Sequence, residues 1–174
     1  MEIMNTDNYQ VSRDQPSFFS MKDYCLLSVK GPDAEAVLQG QSTNDVKKLK
    51  EGGVQLSAFL TPQGKIISHN FLFKVNQQEF YLLLPKSISE KVQKHLDDHI
   101  IMEEADLEIL NGFYIYHLLG AESKYKALGL DEEANLELEH LYVLEQGFLV
   151  TSGMLGQGSS LYISKEECPI SLNE

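Results

Sequence analysis

Between Val54 and Leu84 the chain alternates strand-sized apolar segments with short turn phrases, and this punctuation limits the fold more than any other feature. Val54 to Leu60, Lys65 to Val75 and Glu79 to Leu84 read as three strands. They are joined by Thr61-Pro62-Gln63-Gly64 and Asn76-Gln77-Gln78, links that predict an antiparallel meander. The first link fits a type I turn, with Pro at its second position and Gly at its fourth. Upstream, Tyr24 to Val29 predicts a strand, and Gly31-Pro32-Asp33 opens a helix whose apolar side is Ala34, Val37 and Leu38 and which Gly40 stops. Ser42 or Thr43 then caps a short turn through Val46 and Leu49, closed by Gly52-Gly53. Downstream, Ser87 caps a helix with Ile88, Val92, Leu96 and Ile100 as one stripe. A strand from Leu107 to Leu118, a short helix near Glu122 to Leu128, and the hairpin-like Phe148 to Ser152 and Ser160 to Ser164 follow. The expectation is an α+β fold, a mostly antiparallel sheet with helices packed on one face. Residues 1–20 form a polar N-terminal arm and residues 21–174 a single domain in this reading.

Length and composition bound the class. A chain of 174 residues at 43% hydrophobic can bury a substantial core. Its longest apolar runs, such as Phe80-Tyr81-Leu82-Leu83-Leu84, are strand-sized, and its first residues carry neither a basic flank nor an apolar run, so no membrane segment and a cytoplasmic location are expected. The net charge of −12 is uneven. Asp97 to Glu145 holds thirteen acids against Lys124 and Lys126, whereas Lys30 to Lys65 nets +1. Direct nucleic-acid binding is not expected, because no basic surface is present to neutralise phosphates. The lysines around the first meander strand either attract an anion or form a solvated face.

Three constellations carry little chemistry. His95 and His99 stand one helical turn apart, but no second ligand pair accompanies them, so no metal site is expected. Gly153, Gly156 and Gly158 precede a strand, not a helix, and fit a hairpin loop better than a phosphate loop. Cys25 and Cys168 are far apart, and neither makes a disulfide framework or a reactive thiol.

Two polar phrases set between apolar segments are the candidate site: Leu38-Gln39-Gly40-Gln41-Ser42-Thr43-Asn44-Asp45-Val46 and Leu60-Thr61-Pro62-Gln63-Gly64-Lys65-Ile66. At this separation, and together with Leu26-Leu27-Ser28-Val29, Gly31-Pro32-Asp33-Ala34 and Phe71-Leu72-Phe73, they resemble the folate-binding family of the YgfZ-type proteins and the glycine-cleavage T-protein. Weaker similarity continues to Gly153-Met154-Leu155-Gly156-Gln157-Gly158.

The resemblance implies tetrahydrofolate or a derivative as ligand. It implies Thr43, Asn44, Asp45, Thr61, Gln63, Gly64, Lys65 and Gln157 as the residues that bind it. The T-protein carries an Asp pair after the second phrase, where this chain has Ser68 and His69, so no catalytic residue is assigned. The T-protein phrase Tyr-Thr-Gly-Glu finds its nearest counterpart in Met154-Leu155-Gly156-Gln157, which lacks the carboxylate. The YgfZ branch implies a protein partner in iron–sulfur enzyme maintenance, or a link to tRNA modification. Its phrases Lys-Gly-Cys-Tyr and Gly-Gln-Glu do not occur, and the chain reads as shortened at its C-terminus relative to the family. The expected role is a folate-binding accessory protein, more a binding protein than an enzyme. A divergent aminomethyltransferase and a scaffold-only interaction module are the alternatives.

Overall fold

The structure is a computed structural model that describes residues 17–119, 136–153 and 159–167. The described residues form two five-stranded antiparallel sheets and two α-helices. The first sheet takes the order β3-β4-β5-β2-β6, built from β2 (Tyr24–Lys30), β3 (Val54–Leu60), β4 (Ile66–Asn76), β5 (Glu79–Pro85) and β6 (Asp106–Leu110). The second takes the order β1-β7-β10-β9-β8, built from β1 (Ser17–Ser20), β7 (Tyr114–Leu119), β8 (His140–Leu144), β9 (Gly147–Thr151) and β10 (Ser159–Ser164). The helices are α1 (Ala34–Gln41) and α2 (Lys86–Asp97), with a 3-10 turn at Val46–Lys48.

Alternation along the strands assigns each face its partner. Leu27, Val29, Phe59, Leu72 and Leu82 cluster with Val37 and Leu38 of α1 and Val92 and Leu96 of α2. Their alternates Leu26, Phe73, Tyr81 and Leu83 cluster with Ile115, Val150, Leu161 and Ile163 of the second sheet. The first sheet is therefore covered by helices on one side and by a sheet on the other. That explains why β2 and β5 are almost continuously buried and read as apolar runs, broken within β2 only by Ser28. The sequence reading of a mostly antiparallel sheet with helices holds, but the fold contains two sheets where one was expected.

The sequence-predicted strand from Leu107 to Leu118 is two strands. Asn111-Gly112-Phe113 interrupts it, Gly112 adopts φ +86°, and the halves β6 and β7 belong to different sheets. Ser17–Ser20, at the end of the polar arm, is β1 and pairs with β7. The meander is observed, with Phe71 opposite Leu56 and opposite Leu83. The hairpin of β9 and β10 pairs as expected, with Leu161 opposite Val150, and β8 extends it. The segment expected to be a helix at Glu122 to Leu128 lies outside the described residues, as does Cys168.

Helix ends depart from the sequence reading. Gly40 does not stop α1, which runs through Gln41 until Ser42 turns extended to bridge Phe59. Ser87 does not cap α2, because Pro85 holds the cap position and Lys86 N donates to Asp23 O at 2.8 Å. The 3-10 turn starts from Asp45 and is capped by neither Ser42 nor Thr43. Gly31 adopts φ +140°, and a Cβ there would lie 2.1 Å from Glu104 O, so only glycine fits where the chain leaves β2. No described helix is long and apolar enough to cross a membrane.

Candidate functional site

Both polar phrases are organised by β3. Ser42 bridges Phe59, Thr43 N donates to Ala58 O at 3.0 Å, and Thr43 Oγ1 accepts from Ala58 N at 3.1 Å. Asn44 Nδ2 donates to Leu56 O at 2.7 Å. The first phrase thus runs beside the outer edge of β3 and satisfies backbone groups that an edge strand otherwise leaves open. Thr43 Oγ1 and Asn44 Nδ2 are consequently bonded to this strand. Asp45 pairs with Lys48 at 3.2 Å, and Lys47 N donates to Gln39 Oε1 at 3.1 Å.

The second phrase closes the β3–β4 hairpin. Gly64 N donates to Thr61 O and Thr61 N to Lys65 O, each at 2.8 Å, while Thr61 Oγ1 accepts from Lys65 N at 3.2 Å. Gly64 adopts φ +78° with no atom within 4 Å of its missing Cβ, so the turn needs its backbone freedom and not its small size. Pro62, Gln63, Gly64 and Lys65 are exposed. Leu56, beside Asn44, and Thr61 are five residues apart on one strand, about 16 Å at ordinary strand rise. The two phrases lie along one edge of β3 and are nearest where Ser42 bridges Phe59, two residues before Thr61, while Asn44 reaches farther along the strand to Leu56. Gln157 lies outside the described residues.

Between the phrases, one face of β3 and β4 is open. Leu56 stands opposite Phe71 and Ala58 opposite His69, on the face that carries Val54 and Phe73 into the second sheet farther along. Leu56 is 40% exposed, Ile66 61%, and His69 is exposed, so the second sheet does not cover this stretch. The result is an apolar strip with the exposed Lys65 of the β3–β4 turn at one end, while Lys47 and Lys48 are exposed in the 3-10 turn that follows the first phrase.

The opposite face holds a buried polar row that sequence reading did not identify as such. Ser68 and Asn70 are each 2% exposed, and Ser68 Oγ donates to Asn70 Oδ1 at 3.0 Å. Ser57 stands opposite Asn70, and Ser57 Oγ, Asn70 Nδ2 and Ser42 Oγ are buried without a hydrogen-bond partner. Polar residues at alternate positions of apolar strands, here Ser57 and then Ser68 and Asn70, were the available signal. His95 sits over this region with its ring 6.0 Å from Phe59, and burial, followed by the like charge of His99, pushes its pKa below the ordinary value. The Ser68-His69 pair is therefore split: a neutral hydroxyl faces the helices, and an imidazole faces the open strip. Among the described residues, no group of three or more His, Cys, Asp or Glu is placed to hold a metal ion.

Comparison with known proteins assigns the architecture. The family model described as the GCVT N-terminal domain matches residues 3–144. An uncharacterized protein of Haemophilus influenzae is 45% identical over 71 residues, which are 41% of this chain and 25% of that protein. The tRNA-modifying protein YgfZ of Buchnera aphidicola subsp. Schizaphis graminum is 28% identical over 105 residues, 60% of this chain and 33% of that protein. The matched segments thus span only a quarter to a third of these curated relatives. Among solved structures, the glycine cleavage system aminomethyltransferase T of Bartonella henselae superposes with a TM-score of 0.79 at 19% identity, over 90% of this chain and 44% of that one.

Proposed function

Because the chain belongs to the family of the GCVT N-terminal domain, we propose that it is a folate-binding accessory domain of the YgfZ type and not an aminomethyl-transferring enzyme. The observation that carries this reading is the chemistry at Ser68 and His69. The family resemblance places a carboxylate pair there, and this chain has a buried hydroxyl hydrogen-bonded to Asn70 and an exposed imidazole. Neither group carries the fixed negative charge that stabilises a developing cation.

The residues present fit a reduced folate in outline. The Leu56, Phe71 and Ile66 strip suits a flat ring, and the exposed Lys65, with Lys47 and Lys48, suits the carboxylates of a glutamate tail. Thr43 and Asn44 shape the strip through β3, Thr43 Oγ1 and Asn44 Nδ2 each being bonded to its backbone. Tetrahydrofolate, when bound, carries one-carbon units; this chain's residues hold and orient it. A role in iron–sulfur enzyme maintenance or tRNA modification belongs to the same proposal and rests on the likeness to YgfZ.

Calorimetric titration of the purified chain with tetrahydrofolate tests the reading. Binding is expected, weaker in high salt and weakened by Lys65→Gln, since exposed charges are screened beyond about 8 Å at physiological ionic strength. No heat at millimolar folate would leave an interaction module as the better account.

A further inference from the structure

A second concavity lies at the other end of the first sheet, where Lys30 pairs with Glu79 and the Asn76-Gln77-Gln78 turn reverses the chain. It has a volume of about 430 Å³ and opens between the two sheets. Its apolar wall is aromatic: Tyr81 from β5, Phe148 from β9, and Phe113 from the crossing between the sheets. Tyr81 and Phe148 form a tilted corner with centroids 5.5 Å apart. Gly147 brings the β8–β9 turn close, since a Cβ there would lie 1.9 Å from Ile163 O.

The ring faces already attract cations from within the chain. Lys165 Nζ lies 5.8 Å from the Phe113 centroid, and Lys30 Nζ lies 5.8 Å from that of Tyr81. Lys30 also pairs with Glu79 at 2.8 Å, whereas Lys165 has no carboxylate partner among the described residues. The Tyr81 hydroxyl donates to Glu79, and burial together with that carboxylate raises its pKa, so this wall stays a neutral phenol. Glu145 and Glu166 complete the rim. Glu145 and Glu166 stand against Lys30 and Lys165 in the lining, and Lys30 is neutralised by its pair with Glu79 behind it, in a chain of net charge −12.

We propose that this groove binds a small organic cation, an alkyl- or arylammonium ion held on the faces of Phe113, Phe148 and Tyr81 and steered by Glu145 and Glu166. Lys165 occupies the Phe113 face as an internal competitor. Aromatic faces attract ammonium ions through the ring quadrupole, and acids at the rim oppose an anion of the same size. The site lies at the opposite end of the sheet from the Thr61–Lys65 hairpin, so it is independent of the folate proposal.

The test compares three probes that share a benzyl group and differ in charge, benzyltrimethylammonium, benzyl alcohol and phenylacetate, by ligand-observed NMR on the whole chain. The cation should bind at least about fivefold more tightly than the alcohol, and phenylacetate most weakly. Phe113→Leu, which keeps bulk and loses the ring, should weaken the cation about threefold or more. Lys165→Gln should strengthen it by at least twofold, a gain that an anion site or a merely apolar groove does not produce. Equal or better binding of the alcohol or phenylacetate overturns the proposal, as does no binding of the cation at 10 mM. It is equally overturned if Lys165→Gln leaves the affinity unchanged or lowers it. Lys165 is exposed, so that variant decides the matter even where Phe113→Leu fails to fold.

Discussion

Lys74 of β4 and Glu35 of α1 form an ion pair, Nζ to Oε2 at 2.5 Å, in which the lysine side chain is only 4% exposed. The ammonium also lies 5.3 Å from the Phe80 ring centroid, so the first sheet and α1 are held by a charge that water scarcely reaches. Removing one partner of such a pair leaves the other buried and uncompensated. Glu35→Gln should cost about 2 kcal/mol, less than a fully buried pair would because Glu35 is 29% exposed. Lys74→Met combined with Glu35→Leu, which removes both charges and fills the space, should stay within about 1 kcal/mol of the parent. Urea denaturation midpoints at constant m-value check both.

Two half-buried imidazoles set an acid limit on stability. Burial first, then the like charge of His99, lowers the pKa of His95, and burial alone lowers that of His117. Below the ordinary value of about 6.5 the unfolded chain takes up protons that the folded chain resists. Stability is then full above that value and falls as pH drops from about 6.5 toward the folded pKa. His95→Gln should flatten the slope of unfolding free energy between pH 6.5 and 5, measured by denaturation at closely spaced pH. An unchanged slope would show that His95 titrates normally.

Placing aspartate at the split pair separates its two faces. Ser68→Asp buries a carboxylate at a position 2% exposed and should cost about 2 to 3 kcal/mol at neutral pH. Burial raises that carboxyl's pKa, so the penalty should shrink as the pH is lowered through it. His69→Asp lies on the open strip and should change stability by less than about 0.5 kcal/mol. The unaltered chain should show no folate-dependent aminomethyl transfer at an enzymatic rate. Equal costs for the two substitutions would mean that they do not face opposite sides.

The parts legible in the sequence are those fixed by local pattern. The meander from Val54 was readable because Thr61-Pro62-Gln63-Gly64 carries its own turn chemistry, and α2 because Val92 and Leu96 repeat at helical spacing. The second sheet was not, because its strands gain stability from partners remote in sequence: β1 is four residues whose neighbour β7 begins at Tyr114. Asn111-Gly112 was the one local sign that the run from Leu107 to Leu118 breaks. At the site, the commitment of Thr43 and Asn44 to β3 backbone groups could not be read from spacing. Capping residues are interchangeable on paper; tertiary pairing chose Asp45 and Pro85.

The pairing of β1 with β7 gives the chain an order of assembly. Both belong to the second sheet, and everything between them, from β2 to β6, forms the first sheet and its helices. Topologically the first sheet is an insertion into a hairpin whose arms are β1 and β7. During synthesis it can close once Leu110 has emerged, using contacts entirely within one contiguous stretch. The second sheet must hold β1 unpaired until β7 arrives, and β7 in turn remains half-paired until β10 is made. An early ribosome-bound fragment ending after Leu110 should therefore already protect its β2 and β5 amides, while Phe18 and Phe19 wait for the last strand of the protein described here to complete the sheet they join.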